Sequence, residues 1–312
     1  MKTSKLSMVW EKFIPLLALV VLIVVVTILN PAFADPANIM NLLRQISINA
    51  LIAFGMTFVI LTGGIDLSVG SILALTSALS AGMMAAGVDP ILAIIIGTLL
   101  GAIFGALNGI LIAKGKLAPF IVTLATMTIF RGLTLVYTEG KPITGLGDSY
   151  AFQLFGKGYF LGIPVPAVTM IIAFIILWFF LHKTAFGRKT YAIGGNEKAA
   201  LISGIKVDRV KVMIYSISGM LAGLAGMILT SRLNSAQPTA GQAYEMDAIA
   251  AVVIGGTSLA GGKGRIAGTF IGVLIIGILN NAMNLLGISS FYQQVVKGVV
   301  ILIAVLLDRK KS

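Results

Sequence analysis

Long apolar runs alternate with short polar connections along the chain. Many of these runs approach the roughly 20 residues that an α-helix needs to cross a bilayer. We expect ten such segments, at residues 13–29, 46–61, 71–86, 91–113, 117–137, 163–181, 212–229, 246–254, 266–286 and 291–307. The eighth is short and only weakly apolar, and we expect it to cross only in part. The pattern predicts an all-α integral membrane protein with about ten transmembrane helices.

The fourth run has a glycine at every fourth position, at Gly97, Gly101, Gly105 and Gly109. Small residues at this spacing let the backbones of two helices approach closely. We therefore expect this run to pack tightly against another helix.

One polar connection, residues 182–211, contains a short helical signature. Asn196 is a good N-cap, and Glu197 follows in the first turn, where the positive end of a helix favours a carboxylate. Residues 199–202 carry about two turns, and Gly204 can adopt the left-handed conformation that ends a helix. An ordinary surface helix in a loop is the alternative to a surface that another protein grips.

Composition limits the class of protein. Of the 312 residues, 58% are hydrophobic and 11% are charged, against about 25% charged in soluble proteins. Polar stretches do not exceed roughly 30 residues, which is too short for an independent core. We therefore expect residues 1–312 to form a single transmembrane domain. Without cysteine there is no disulfide, thiolate nucleophile or cysteine-based metal site.

The net charge of +12 is explained by membrane topology. With ten spans and an internal N-terminus, most of the 23 lysines and arginines fall on the inner side, as the positive-inside rule requires. This orientation makes residues 1–12, 182–211 and 308–312 cytoplasmic, and the loop 231–245 external. Basic cytoplasmic loops account for the charge, so we expect no nucleic-acid partner.

Catalytic chemistry is poorly represented. His182, the single histidine, lies at a helix end, where a cation interacts favourably with the helix dipole. A zinc site needs three or four clustered ligands, and nucleotide binding by a phosphate loop needs a spacing that is absent here. We expect neither an enzyme nor a bound metal or cofactor.

Neutral polar side chains on or beside the apolar runs are candidates for a substrate pathway. Hydroxyl and amide groups suit a neutral, hydroxylated solute, because they exchange hydrogen bonds with it without adding fixed charge. Hydrogen bonds between helices, worth about 0.6 kcal/mol each, are the alternative role. The candidates, with one carboxylate, are Asn49, Thr57, Thr62, Asp66, Asn108, Asn280, Asn284 and Gln293.

Charges inside the apolar runs are few. Asp66 can cap the third helix. Lys297 lies within the last run, where it is a functional ion, a side chain that snorkels to the interface, or part of a packing ion pair. An ion-coupled carrier usually needs embedded carboxylates or carbonyl sites in broken helices. Asp66 alone supports such a carrier only weakly.

A short pattern occurs twice. Residues 63–70 and residues 255–262 both read Gly-Gly-x-x-Leu-x-x-Gly, and both are predicted on the inner side. An internal duplication and the independent use of glycine in tight turns both explain the pattern.

Three motifs together resemble the permease subunits of bacterial monosaccharide ABC importers. They are residues 62–70, residues 194–205 and residues 255–265, and the resemblance runs from about residue 29 to the end of the chain. It implies that the short helix in 182–211 is a cytoplasmic coupling helix that docks on an ATPase. The residues it assigns to coupling are Asn196, Glu197, Ala199, Ala200, Ser203, Gly204 and Ile205.

The resemblance also implies the remaining components. These are a second copy of the permease, a cytoplasmic subunit that uses ATP and Mg²⁺, an extracytoplasmic sugar-binding protein, and the lipid of the bacterial plasma membrane. The implied cargo is a monosaccharide, with D-ribose favoured and with xylose, galactose or a furanosyl signal molecule left open. An ion-coupled secondary carrier for a small neutral solute is the alternative function, and a scaffold or receptor is a third.

Overall fold

The computed structural model describes residues 5–147 and 149–309, and this part of the chain is almost entirely helical. A 3₁₀ helix at Pro31–Ala34 and a two-stranded hairpin, β1 (Tyr159–Phe160) and β2 (Ile163–Pro164), complete it. Within the described residues the α-helices are α1 (Lys5–Leu29), α2 (Pro36–Leu61), α3 (Val69–Ala85), α4 (Pro90–Ala113), α5 (Pro119–Thr138), α6 (Tyr150–Lys157), α7 (Val165–Lys183), α8 (Ala185–Gly195), α9 (Glu197–Ile202), α10 (Val207–Leu233), α11 (Tyr244–Ile254), α12 (Ile266–Leu285) and α13 (Ser290–Arg309).

All ten predicted segments fall on helices. Among the described residues, six helices, α2, α4, α5, α7, α10 and α12, are long and apolar enough to cross a membrane. Shorter apolar stretches lie at 15–29 in α1, 69–85 in α3 and 290–303 in α13. Helix α11 has 11 residues and is therefore about 16 Å long, roughly half of a 30 Å hydrocarbon core. The helical membrane architecture is thus confirmed, whereas the count of ten crossings stays a prediction.

Two predicted connections contain more regular structure than expected, and one predicted boundary was wrong. Residues 138–162, taken as a polar connection, contain α6 and β1, and residues 182–211, taken as a loop with one helix, are mostly helical because α8 fills the first part. Helix α2 begins at Pro36 and not at residue 46, since the Asp35 carboxylate accepts the Ala37 N–H at 2.7 Å. Residues 1–4 and 310–312 of the predicted cytoplasmic termini lie outside the described residues.

Helix α2 forms the centre of the bundle. Its residues from Ile46 to Leu61 are buried, and α7, α10, α11 and α12 pack around it. The outward faces of α4, α5 and α7 carry exposed leucine, isoleucine and phenylalanine side chains, such as Ile103 and Leu133. This burial pattern fits an outer layer that faces lipid.

Helices α4 and α10 run antiparallel and meet at the predicted glycine row. A Cβ added to Gly109 would lie 2.7 Å from the Val212 Cα, and one added to Gly219 would lie 2.8 Å from the Gly105 Cα. Backbone therefore packs directly on backbone, as the spacing of four predicts. We call this contact the glycine seam.

The loops gather at two opposite ends of the bundle. At one end, Gly262 donates to the Leu61 carbonyl oxygen at 2.9 Å and Tyr191 donates to that of Gly264 at 2.8 Å. This end, formed by residues 62–68, 185–206 and 255–265, is called the coupling end. At the other, called the hairpin end, a β-bridge joins Ile143 to Ala236, which brings the connection after α5 next to residues 234–243. The hairpin of β1 and β2 belongs to the same connection.

Candidate functional site

The predicted coupling helix is α9, and its N-terminus has the predicted cap. The Asn196 side-chain oxygen accepts the Ala199 N–H at 3.0 Å, with the Asn196 backbone in the extended conformation. Glu197 lies in the first turn. An isolated six-residue helix is unstable in water, so this cap and the neighbouring contacts must maintain it.

The C-terminus of α9 also follows the prediction. Gly204 adopts the left-handed conformation with φ of +81°, and no atom lies near the position of a Cβ there. The Ile205 N–H donates to the Ala200 carbonyl oxygen at 3.1 Å, and the Gly204 N–H donates to that of Leu201 at 3.0 Å. Glycine ends the helix here because other residues reach this conformation only with strain.

The coupling helix presents two different faces. Ala200 is buried against the protein, whereas the neighbouring Ala199 and the C-cap residue Ser203 are exposed. Leu201 and Ile202 are 63% and 86% exposed, and Ile205 is half-buried. The predicted set did not include Leu201 and Ile202, although two adjacent large apolar residues in a polar connection are a sequence signal for a contact surface.

An ion pair ties the coupling helix to α10. The Lys211 Nζ donates to both oxygens of the Glu197 carboxylate at 2.8 Å, with the lysine side chain mostly buried and the glutamate half-exposed. Lys211 lies in the second turn of α10. This ion pair therefore connects α9 to the long helix that forms one side of the glycine seam.

Helix α8 and the two glycine-rich loops, residues 62–70 and 255–265, pack tightly against one another next to the coupling helix. A side chain on Gly194 would collide with the backbone of Leu61 and Gly262, so α8 approaches both loops of the repeated glycine pattern. The Tyr191 hydroxyl donates to Gly264, and burial raises the pKa of Tyr191, although Arg265 lowers it in part. Tyr191 therefore remains a hydrogen-bond donor at neutral pH.

The two loops with the Gly-Gly-x-x-Leu-x-x-Gly pattern lie side by side but have different backbones. In the first loop the positive φ falls at the first glycine, Gly63. In the second it falls at the second and last, Gly256 and Gly262. The difference favours independent use of glycine in tight turns over a conserved repeated conformation.

Asp66 anchors a buried network between three helices. One of its oxygens accepts the Ser68 N–H at 3.0 Å and the Ser68 hydroxyl at 2.6 Å, and the other accepts the Ser218 hydroxyl at 3.1 Å. Asn108 donates to the Ser68 oxygen at 2.7 Å. The predicted capping role needs correction, because the N-cap position of α3 is Ser68 and Asp66 instead holds the turn before it.

The other predicted pathway residues lie apart from this network. Thr57 is fully buried and shares a 2.8 Å hydrogen bond with Thr269, which joins α2 to α12. Asn280 donates weakly to Asp247, at 3.4 Å. Asn284 accepts from Gln293 at 2.8 Å, and Asn49 is buried in α2.

Lys297 is part of an ion pair and not an isolated charge. Its Nζ lies 2.9 Å from the Asp247 carboxylate, which joins α13 to α11. Of the roles considered for this lysine, the packing ion pair is the one the geometry supports.

The predicted pathway residues thus do not converge on one chamber within a single chain. Thr62 lines a small cavity at the coupling end, whereas Asn280 belongs to the Asp247 cluster. Among the described residues there is no group of three His, Cys, Asp or Glu that could hold a metal ion. The role of these residues in transport stays a prediction.

Arg131 is absent from the predicted set but shapes the hairpin end. Its guanidinium donates to the carbonyl oxygens of Pro238 and Ala240 at 2.7 and 2.8 Å. These contacts hold the loop 234–243 over α5. A charged side chain within an apolar helix was the signal that could have identified it.

Comparisons with known proteins are consistent across the chain. Residues 38–305 match the family of permease components of the branched-chain amino acid transport system. The chain is 76% identical to the ribose import permease protein of Bacillus subtilis (strain 168) over 304 residues, which are 97% of this chain and 94% of the relative. It is 55% identical to the ribose import permease protein of Escherichia coli (strain K12) over 95% of this chain and 93% of the relative.

A relative named for another sugar is less similar. The D-allose transport system permease protein of Escherichia coli (strain K12) is 44% identical over 99% of this chain and 94% of the relative. All three relatives are named as transport permeases and not as enzymes. No solved structure matches the chain.

Proposed function

Because the chain belongs to the family of branched-chain amino acid transport system permease components, we propose that it is the permease subunit of an ABC importer for D-ribose. The observation that carries the proposal is the 76% identity to a ribose import permease over nearly the whole chain. The family description names amino acids, so the sugar comes from the individual relatives and not from family membership.

The proposed importer has components that this chain lacks. We propose that two copies of the permease form the pathway, that a cytoplasmic subunit binds ATP and Mg²⁺, and that an external protein delivers the sugar. In this arrangement the coupling end is cytoplasmic, and the hairpin end faces the sugar-binding protein. The chain itself performs no covalent step.

The coupling helix is the proposed contact with the ATPase. Its exposed Leu201 and Ile202 offer apolar surface to a groove, and the buried Ala200 lets the helix sit close to its own bundle. The Glu197–Lys211 ion pair joins it to α10, which packs against α4 at the glycine seam. When the ATPase subunits close, the coupling helix would move with them. The ion pair would pass this movement to α10, and the glycine seam would make α4 move with α10, so that the pathway switches between its outward and inward openings.

The alternative is an ion-coupled carrier, and Asp66 is the residue that favours it. Its buried carboxylate has no basic partner among the contacts described above, but serine hydroxyls and one backbone N–H already occupy both of its oxygens. These hydrogen bonds suit a structural role that holds α3, α4 and α10 together.

Transport energetics test the two functions against each other. The complete complex in liposomes, with ATP inside and labelled D-ribose and its binding protein outside, should accumulate the sugar after an ionophore collapses the ion gradients. Accumulation that requires an ion gradient and ignores ATP would contradict the proposal. Unlabelled xylose, galactose and allose in excess should compete poorly if ribose is the cargo.

Sidedness is tested directly because the chain has no cysteine. Ile202→Cys at the coupling end and Leu161→Cys at the hairpin end place highly exposed thiols at opposite ends of α7. In intact cells an impermeant maleimide should label only the second variant. Labelling of Ile202→Cys from outside would contradict the proposed orientation.

A further inference from the structure

A cavity of about 150 Å³ lies at the coupling end, between the coupling helix and the turn that follows α2. Residues 62–64 form one side, and the Glu197–Lys211 ion pair and Tyr215 form another. Ile112 and Pro119 form the apolar part of the cavity wall. The cavity therefore touches the coupling helix, α10 and the loops of the bundle at once.

The Tyr215 hydroxyl is the unexplained group in this cavity. The side chain is 1% exposed, yet its oxygen has no hydrogen-bond partner. The oxygen lies beside Gly64, where an added Cβ would come within 2.5 Å of it. Buried polar atoms are nearly always paired, so an unpaired hydroxyl at a cavity indicates a partner that comes from outside the chain.

The lining selects the chemistry of that partner. Tyr215 can both donate and accept, the Thr62 oxygen and the Glu197 carboxylate can accept, and Lys211 can donate. The Glu197–Lys211 pair carries no net charge, so the cavity as a whole favours a neutral molecule with several hydroxyl groups. The apolar wall of Ile112 and Pro119 suits the C–H face of such a molecule.

Size narrows the choice further. A volume of about 150 Å³ is roughly ten times the cavity volume of about 10–15 Å³ that one water molecule needs. It falls below the range of about 300–1,000 Å³ that is typical of sites for drug-sized ligands. A molecule of the size of a monosaccharide is therefore the upper limit.

We propose that this cavity is an inner binding site for the monosaccharide that the transporter delivers. The proposal rests on the proposed function for the identity of the sugar. A sugar bound here would link Tyr215 and the Glu197–Lys211 pair to residues 62–64, and so hold the coupling helix against the bundle. Since a ligand favours the state in which its contacts exist, accumulated sugar would slow further import.

Equilibrium binding provides the first test. The assembled permease and ATPase subunits in detergent, without the external sugar-binding protein, should bind labelled D-ribose saturably. Tyr215→Phe removes one hydroxyl and should weaken this binding about fivefold, the effect of one neutral hydrogen bond. The matched control is Tyr191→Phe, whose hydroxyl bonds to Gly264 and does not line the cavity, and it should bind ribose as the unmodified chain does.

Uptake provides the second test. In liposomes, a higher internal concentration of ribose should reduce the initial rate of labelled ribose uptake. The rate of each variant is divided by its own rate without internal sugar. Tyr215→Phe should need about fivefold more internal ribose for the same reduction. Equal internal glycerol should have no such effect.

The outcomes separate this site from the proposed function. Absent binding, equal binding by Tyr215→Phe and the unmodified chain, or equal inhibition by glycerol would overturn the inner site. Binding that depends on Tyr215, in a complex whose ribose uptake needs no ATP, would support the site and contradict the importer.

Discussion

The two contacts of α10 with α4 and with α9 are built in opposite ways. Against α4, glycines let the backbones touch, and a Cβ on Gly223 would lie 2.9 Å from the Gly97 carbonyl oxygen. Against α9, the side-chain contact of the described residues is an ion pair, in which Lys211 donates to the half-exposed Glu197 carboxylate. The comparison separates a backbone contact that leaves no room for side chains from a contact that depends on one ion pair.

The largest effect is expected at the glycine seam. Gly105→Leu would drive a side chain into the backbone of Tyr215 and Gly219. Since neither helix can yield without moving the bundle, we expect a loss of about 3 kcal/mol or more and little folded protein. Membrane yield and thermal unfolding in detergent measure this loss.

Gly132→Leu is the matched control for the seam. Gly132 lies in α5 with no atom near the position of its Cβ, so leucine there should project outward and leave yield and unfolding temperature almost unchanged. Equal damage from both variants would mean that the seam is no more restrictive than the outer surface.

The next effect is a loss of transport without a loss of folding. Gly204→Glu places a charged side chain where φ is +81° and on the proposed docking surface. We expect ribose uptake to be abolished while membrane insertion survives. Asparagine tolerates the left-handed conformation, so Gly204→Asn should retain most of the uptake. Normal uptake by Gly204→Glu would contradict docking through this helix.

A smaller effect is expected from the ion pair. The Glu197 carboxylate is half-exposed, so solvent screens the pair, and it should contribute about 1 kcal/mol. Glu197→Gln and Lys211→Gln should therefore each lower uptake by about two- to fivefold and hardly alter unfolding. The double variant should be no worse than either single one, because one interaction is lost in all three cases. Additive losses would show that the two residues act separately and that this pair does not carry the movement.

The smallest effect is expected at the cap of α9. Asn196→Ala removes the acceptor for the Ala199 N–H and should destabilise this local helix by about 1 kcal/mol. Asn196→Ser keeps an acceptor and should behave like the unmodified chain. Hydrogen exchange at Ala199 and Ala200 measures local opening, and faster exchange in both variants would contradict the capping role.

Local sequence signals were sufficient where the physics is local. Asn196 and Gly204 predicted both ends of α9, and the four-residue glycine spacing of α4 predicted a close helix contact. The helix and the strand inside the connection 138–162 were not predicted, because α6 has only eight residues and the hairpin beside it has strands of two residues. Such short elements depend on neighbours that a local pattern does not reveal.

By itself, the sequence determined the helical membrane class, the position of the short capped helix α9 and the likeness to sugar permeases, because these depend on hydrophobic length, capping chemistry and motif order. Only the tertiary structure decided that Lys297 pairs with Asp247, that Lys211 holds Glu197 and that Tyr215 is left without a partner beside a cavity. Each of these facts joins residues far apart in the chain, and such contacts exist only after the helices have packed.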